Sequence, residues 1–197
     1  MGKIFCIMGK SSSGKDTIFK LLIEENIQEL KEVVSYTTRP IRTNETDGVE
    51  YYFINKKELE DWTSKGKVIE TRCYDTVHGK WYYSTIDDGQ IDLNSSRNYL
   101  IISTLESFVG IRDYYGIENV LPIYIDIDDG LRLQRALDRE REQLQPKYEE
   151  MCRRFIADSI DFSEENLKLA GISRRFKNYN LDNVLDEIKD FISREIE

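Results

Sequence analysis

Residues 4–17 read Ile4-Phe5-Cys6-Ile7-Met8-Gly9-Lys10-Ser11-Ser12-Ser13-Gly14-Lys15-Asp16-Thr17. The apolar run Ile4 to Met8 predicts a buried strand, and Ile18, Leu21 and Leu22 beyond Thr17 are spaced for one face of a helix. A glycine-rich loop between them aims backbone N–H groups and the positive end of the helix at one point, and Lys15 adds a charge there. That combination holds the phosphates of a nucleotide. A serine-rich turn is the plain alternative; the strand before and the helix after decide for the phosphate loop. Its candidate contacts are Gly9, Ser11, Ser12, Ser13, Gly14, Lys15, Asp16 and Thr17. The spacing G-x-x-x-x-G-K is met, but Asp16 stands where a Ser or Thr normally ligates magnesium. A carboxylate binds Mg²⁺ directly or through water and Thr17 supplies a hydroxyl one place later, so both are candidate metal ligands.

A chain of 197 residues with 40% apolar composition buries a full core and is expected to be one domain. The N-terminal apolar run is too short for a signal peptide or a membrane span, so a cytoplasmic protein is expected. Cys6, Cys73 and Cys152 lie far apart with no C-x-x-C, which suggests reduced thiols. His78 is the only histidine, leaving no His/Cys zinc cluster and no Ser-His-Asp set. A formal charge of −9 argues against general nucleic-acid binding and against anionic membranes. The basic residues must then act locally, as the pairs Arg39/Arg42, Arg135/Arg139 and Arg153/Arg154.

Val33 to Thr38 and Tyr51 to Ile54 read as strands, and Asn55 with Glu58 as the cap of a helix that buries Leu59 and Trp62. Val68 to Tyr74 and Lys80 to Thr85 read as extended, so 35–86 is a small sheet-rich insert. Alternation of strand and helix returns with Tyr99 to Ser103, a helix through Phe108 and Val109, and a strand from Leu121 to Ile127. Near-continuous apolar strands predict a parallel sheet covered on both faces. Two helices separated by Gln145-Pro146 follow, then a short strand within Arg174 to Tyr179. A final helix with Leu181, Val184, Leu185, Ile188, Phe191 and Ile192 on one stripe is assigned to packing. The expected fold is α/β in three layers, with an inserted small domain and a helical lid.

Segment 35–53 carries S-x-T-T-R-x-x-R (Ser35 to Arg42) followed by E-x-x-G-x-x-Y-x-F (Glu45 to Phe53). With the phosphate loop upstream, this resembles the guanylate kinases over nearly the whole chain. The resemblance implies a P-loop nucleoside monophosphate kinase fold with core 1–34, 87–134 and 156–197, a GMP-binding insert 35–86 and a lid 135–155. It implies GMP and ATP as substrates, Mg²⁺ as cofactor, and phosphorylation of GMP to GDP by direct in-line transfer. The insert is expected to rotate toward the phosphate loop when GMP binds. The molecule is expected to be a monomer or homodimer, without nucleic-acid or membrane partners.

The residues agree with that resemblance. Two arginines three positions apart on a turn stiffened by Pro40 can converge on one phosphate, and the planar guanidinium fits its oxygens. Arg39 and Arg42 would hold the acceptor phosphate; a solvated surface charge is the other reading of either one alone. Tyr51 and Tyr82 match family tyrosines that donate to the same phosphate, and Ser35 would sit beside the base. Glu70 matches the glutamate that accepts both N1–H and the 2-amino group of guanine; outside the motif it would read as the polar end of an exposed strand. A site built around that pair rejects adenine, which leaves the carboxylate unpaired. Ser84 resembles the serine that meets O6.

On the donor side, Arg135 and Arg139 share one helix face and look like the family's R-L-x-x-R entry to the lid, with Arg154 the arginine after it. Together with Lys15 they would put positive charge on the migrating phosphoryl group. Interleaved Asp138, Glu140 and Glu142 also fit an ion-paired surface helix. Asn178 falls where the family has an asparagine near adenine; a loop cap is the other reading.

Three departures stand out: Asp16 itself, Ser103-Thr104 where the family carries Asp-x-Asp, and a long polar connection over 71–78. Asp16 is expected to move negative charge from one side of the metal to the other, and the magnesium requirement of Asp16→Ser tests it. A kinase for dGMP or a modified guanine nucleotide, and a non-catalytic guanylate-kinase-like binding module, stay open. The retained Gly9, Gly14 and Lys15 weigh against the module.

Overall fold

The computed structural model describes residues 2–76 and 79–196; the lone histidine, His78, lies outside them. β1 (Ile4–Met8) leads through the loop to α1 (Lys15–Glu24), and past a 3-10 turn at Ile27–Glu29 comes β2 (Lys31–Glu32). A second block holds β3 (Tyr36–Thr37), β4 (Tyr52–Phe53), α2 (Lys56–Ser64), β5 (Val68–Thr76) and β6 (Gly79–Ile86). β7 (Tyr99–Ile102), α3 (Leu105–Tyr115), β8 (Val120–Asp126), α4 (Asp129–Arg141), α5 (Tyr148–Asp161), α6 (Glu164–Leu169), β9 (Phe176–Lys177) and α7 (Leu181–Ile196) complete the chain.

The main sheet runs β2-β7-β1-β8-β9, every pair parallel. Alternation along β1 sends Ile4, Cys6 and Met8 to one face, against Leu105, Phe108 and Ile111 of α3 and Leu167 of α6. Phe5 and Ile7 go to the other, against Ile18 and Leu22 of α1 and Ile188 and Ile192 of α7. Each such side chain contributes roughly 1.5–3 kcal/mol through burial. The α7 stripe lies wholly in this second cluster, in keeping with its packing assignment. Burial pushes the Cys6 thiol up to about 12, so it is an inert core residue; Cys73 and Cys152 are exposed and unpaired.

The insert is a separate four-stranded sheet, β4-β3-β6-β5, with its own small core of Tyr36, Leu59 and Ile86. The cap of α2 forms as the sequence indicates: Asn55 Oδ1 accepts the Glu58 N–H at 3.0 Å, and Glu58 Oε2 accepts the Asn55 N–H at 2.7 Å. Two elements differ from expectation. Val33 to Thr38 is not one strand: the Val33 N–H still bonds Leu100 O of the main sheet, whereas Tyr36 and Thr37 pair in the insert. The chain changes sheets there, so ladder pairing cannot be continuous. α6 was not expected; Ser163 caps it by accepting from the Asn166 N–H at 3.3 Å. No helix among the described residues is long and apolar enough to cross a membrane.

Candidate active site

The turn between β1 and α1 is held open by glycine. A Cβ on Gly9 would lie 2.7 Å from Ile125 O and 2.8 Å from Ser13 Oγ. Gly14 caps α1 at φ +91°, in the left-handed region, and a Cβ there would meet the Asn178 amide at 2.3 Å. Ser13 is buried and its Oγ has no hydrogen-bond partner among the described residues, so the cradle keeps an unspent polar atom. Lys15 Nζ lies 3.2 Å from Asp16 Oδ2, whose side chain is largely exposed beside the loop, with Thr17 exposed next to it.

The elements around the loop converge on it. Asn178 is buried, and its side chain donates to Ser13 O at 2.8 Å, bracing the loop from behind. This contact takes one N–H of the Asn178 side-chain amide. Arg135 donates to Asn178 O at 3.3 Å and Arg139 to Ser12 Oγ at 3.3 Å, so these two exposed arginines of α4 reach the loop and the segment that braces it. Arg154 lies 3.7 Å from Glu150 and lines a cavity of ≈ 780 Å³ together with Gly9, Ser11 and Lys15.

Four charged residues absent from the sequence-based set tie the lid helices to the loop. The Ser11 N–H donates to Asp158 Oδ2 at 2.7 Å, so a carboxylate takes an amide of the phosphate cradle. Arg132, 1% exposed at its side chain, donates through Nε to Asp129 at 2.6 Å and lies 3.5 Å from Asp158 and 3.7 Å from the Phe155 ring centre. Lys10 reaches Asp129 at 3.2 Å. The i,i+3 spacing of Asp129 and Arg132 was a usable signal; nothing local in the sequence pointed to Asp158.

Across a cavity of ≈ 540 Å³, Asp16 of α1 faces Ser35 and Tyr51 of the insert. Arg39 is buried and gripped by Glu45 through both ends of its fork, at 2.6 and 2.7 Å, while its guanidinium carbon stands 5.2 Å over the Tyr51 ring. Burial draws the Arg39 pKa down, but Glu45 and Tyr83 outweigh it and the net shift is upward. The Arg39 hydrogen bond holds the Glu45 carboxyl down to about 2. Glu45 also accepts the Arg42 N–H at 2.9 Å, which orders the turn but leaves the Arg42 side chain exposed. Burial raises the Tyr51 hydroxyl, keeping it a neutral donor. Tyr82 joins the insert core, and its backbone N–H donates to Thr38 Oγ1 at 2.9 Å.

Glu70, on β5, accepts from Thr85 Oγ1 at 2.7 Å, Ser107 Oγ at 2.9 Å and Arg72 Nε at 3.0 Å. It is therefore a half-buried residue whose carboxylate is surrounded by donors, not an exposed strand end. Ser84 is buried on the neighbouring strand, its Oγ 2.8 Å from Thr71 Oγ1. Ser103 is buried, and Thr104 caps α3 by accepting the Ser107 N–H at 3.2 Å.

A phosphate loop between parallel strand and helix, arginines of a helical pair above it, and an arginine- and carboxylate-bearing insert facing it define a P-loop nucleoside monophosphate kinase. The model of the family described as guanylate kinase matches residues 1–92. The guanylate kinase of Mycoplasma mobile is 30% identical over 208 aligned positions, covering 99% of this chain and 94% of that protein. That of Mycoplasma genitalium is 26% identical, covering 98% and 76%. The crystal structure of guanylate kinase from Anaplasma phagocytophilum shares the fold at TM-score 0.70 and 19% identity, covering 98% of this chain and 86% of that one. The chain belongs to the guanylate kinase family.

Proposed function

We propose that the chain phosphorylates GMP with ATP, giving GDP and ADP. The observation that carries this is the cavity in which Asp16, just past the phosphate loop, faces Ser35 and Tyr51 of an insert that also bears buried Arg39 and half-buried Glu70. Loop amides and Lys15 take the donor phosphates; Arg39, Arg42, Tyr51 and Tyr82 take the acceptor phosphate; Glu70, Ser84 and Ser35 take the base. An acceptor phosphate oxygen attacks the γ-phosphorus in line as the bond to the β–γ bridging oxygen breaks, and ADP departs. Charge on the migrating group is met by Lys15, Arg135, Arg139 and Arg154, which is most of what phosphoryl transfer asks of a protein. Closure of insert and lid excludes water and so suppresses ATP hydrolysis.

The loop fits a magnesium-bound nucleotide. Ser13 Oγ lacks a partner among the described residues, and Asp16 offers an exposed carboxylate one residue from Lys15. Among those residues no cluster of three or more His, Cys, Asp or Glu side chains forms a metal cage, which suits an ion shared with substrate phosphates. Asp16 and Thr17 would hold Mg²⁺, which when bound neutralises charge on the transferring phosphates.

A coupled ADP-release assay with Mg²⁺, ATP and each of GMP, dGMP, AMP, CMP and UMP tests the reading. GMP turnover is expected, together with a loss on Glu70→Ala of at least about 100-fold in kcat/KM for GMP at unchanged KM for ATP. Equal losses toward both substrates would overturn the role of Glu70, and no turnover of any monophosphate would favour a binding module.

A further inference from the structure

Glu70 and Arg72 lie two residues apart on β5 and so share a face of the strand. Their side chains are 8% and 11% exposed, and the guanidinium meets the carboxylate side-on: Nε to Oε2 at 3.0 Å and Nη2 to Oε1 at 3.4 Å. The third arm, Nη1, donates to Thr104 Oγ1 at 3.2 Å, at the N-terminus of α3. Arg72 thereby ties a carboxylate of the insert to a helix of the core. α3 lies close against the same spot, since a Cβ on Gly110 would be 2.7 Å from Glu70 Cβ.

The other donors to Glu70 are of a different kind. Thr85 and Ser107 offer hydroxyls, both to Oε1, and a hydroxyl turns about its C–O bond to another acceptor when a ligand arrives. A guanidinium is a rigid plane, and a carboxylate buried without a countercharge is costly to keep ionised. When a base edge replaces the hydroxyl donors, Arg72 is the contact that remains. Oε2, with Arg72 Nε as its one protein donor among the described residues, keeps a second acceptor position open.

We propose that Arg72 is a positioning residue that sets purine selection: it fixes the Glu70 carboxylate against the α3 N-terminus and balances its charge. The position open on Oε2 and those that the hydroxyls give up on Oε1 are then presented, without movement of the carboxylate, to a base edge with adjacent N–H donors, and a purine that brings an acceptor there is refused. This rests on reading Glu70 as the base-selecting carboxylate of a GMP kinase.

The test is steady-state kinetics of the full chain with ATP, Mg²⁺ and either GMP or AMP, for wild type, Arg72→Ala, Arg72→Lys, Glu70→Gln and the Glu70→Gln/Arg72→Ala double variant. Arg72→Ala is expected to raise KM for GMP about 10- to 100-fold, the worth of a hydrogen bond to a charged group, with KM for ATP unchanged and the preference for GMP over AMP narrowed. Arg72→Lys should recover only part, because it restores the charge without the fork. In the Glu70→Gln background the Arg72 change should add little, since it acts through Glu70. An unchanged KM for GMP in Arg72→Ala, equal losses toward GMP and ATP, or fully additive effects would overturn the assignment. If Arg72→Ala does not fold, Arg72→Lys decides: raised KM for GMP alone supports it, wild-type values overturn it. A wild-type chain that turns over GMP while the variants are unaffected leaves the kinase reading standing; a wild-type chain that does not turn over GMP removes both.

Discussion

Glu45 shows how a single residue in a motif can be read for type and missed for role. Its place in E-x-x-G-x-x-Y-x-F was plain, yet only the fold reveals that it grips Arg39 in a bidentate pair at 2.6 and 2.7 Å. Motif spacing carries residue identity; the partner of a side chain six positions away depends on the turn between them. The pair has a pH signature. The folded Glu45 carboxyl is held at about 2, below its ordinary 4.5, so it contributes stability that is fully present above about pH 4.5 and is lost as pH falls toward 2. Glu45→Gln should therefore melt lower than wild type by a constant margin at neutral pH, and the margin should shrink below about pH 4.5 and close near pH 2. Thermal melts of both proteins across that range check this, and a margin that does not depend on pH would show that the carboxylate charge contributes nothing. Arg39, Arg42 and Glu70 stand out in the sequence as candidates because phosphate and guanine chemistry demands their types in that order. Arg72 left a weaker trace, opposite charges at i and i+2 on a strand.

At the scale of elements, the helices and the parallel strands were legible because their apolar periodicity is long: β1, β7, β8 and α7 all fall where the pattern places them. Of the two-residue strands, β3, β4 and β9 fall inside segments that read as extended, whereas β2 left no trace, because its partners Tyr99 and Leu100 lie far along the chain. The lid pair was foreseen as two helices; what joins it to the loop was not. Asp158 of α5 accepts the Ser11 N–H, and Arg132 of α4, stacked on Phe155, holds Asp158 and Asp129. A carboxyl side chain thus takes an amide that, under the proposed function, would meet a phosphate, and binding of ATP would then have to displace it. Asp158→Asn keeps the shape while removing the competing charge, so it should tighten ATP binding roughly fivefold, about 1 kcal/mol, measured by calorimetry without GMP. Unchanged or weaker binding would mean that Asp158 only packs the lid.

For the whole molecule, the question is how an insert with its own sheet and core reaches the phosphate loop. Its β5 end is tied to α3 through Glu70 with Ser107 and Arg72 with Thr104, and Tyr36 donates to Asp88 at 2.6 Å where the chain returns to the core. The opposite side, with Ser35, Val49, Glu50 and Tyr51, faces α1 across the ≈ 540 Å³ cavity. If the insert rotates as the resemblance implies, attachment on one side and open space on the other would put the axis near β5 and α3 and the travel across the cavity. Like charges line that gap: Glu32 of the core is raised by burial first and by the facing Glu50 second, while Lys20 opposes the shift. A nucleotide whose phosphate draws Arg39, Arg42 and Tyr51 toward the loop offsets this repulsion and favours the closed arrangement. Small-angle scattering should therefore show the radius of gyration falling when GMP is added and falling further with GMP plus a non-hydrolysable ATP analogue, while AMP, refused at Glu70, leaves it unchanged. A radius that ignores GMP would mean that the insert is fixed and that the acceptor enters an already formed site. A fall with AMP equal to that with GMP would place the trigger in the phosphate alone, and closure would then do nothing to select the base.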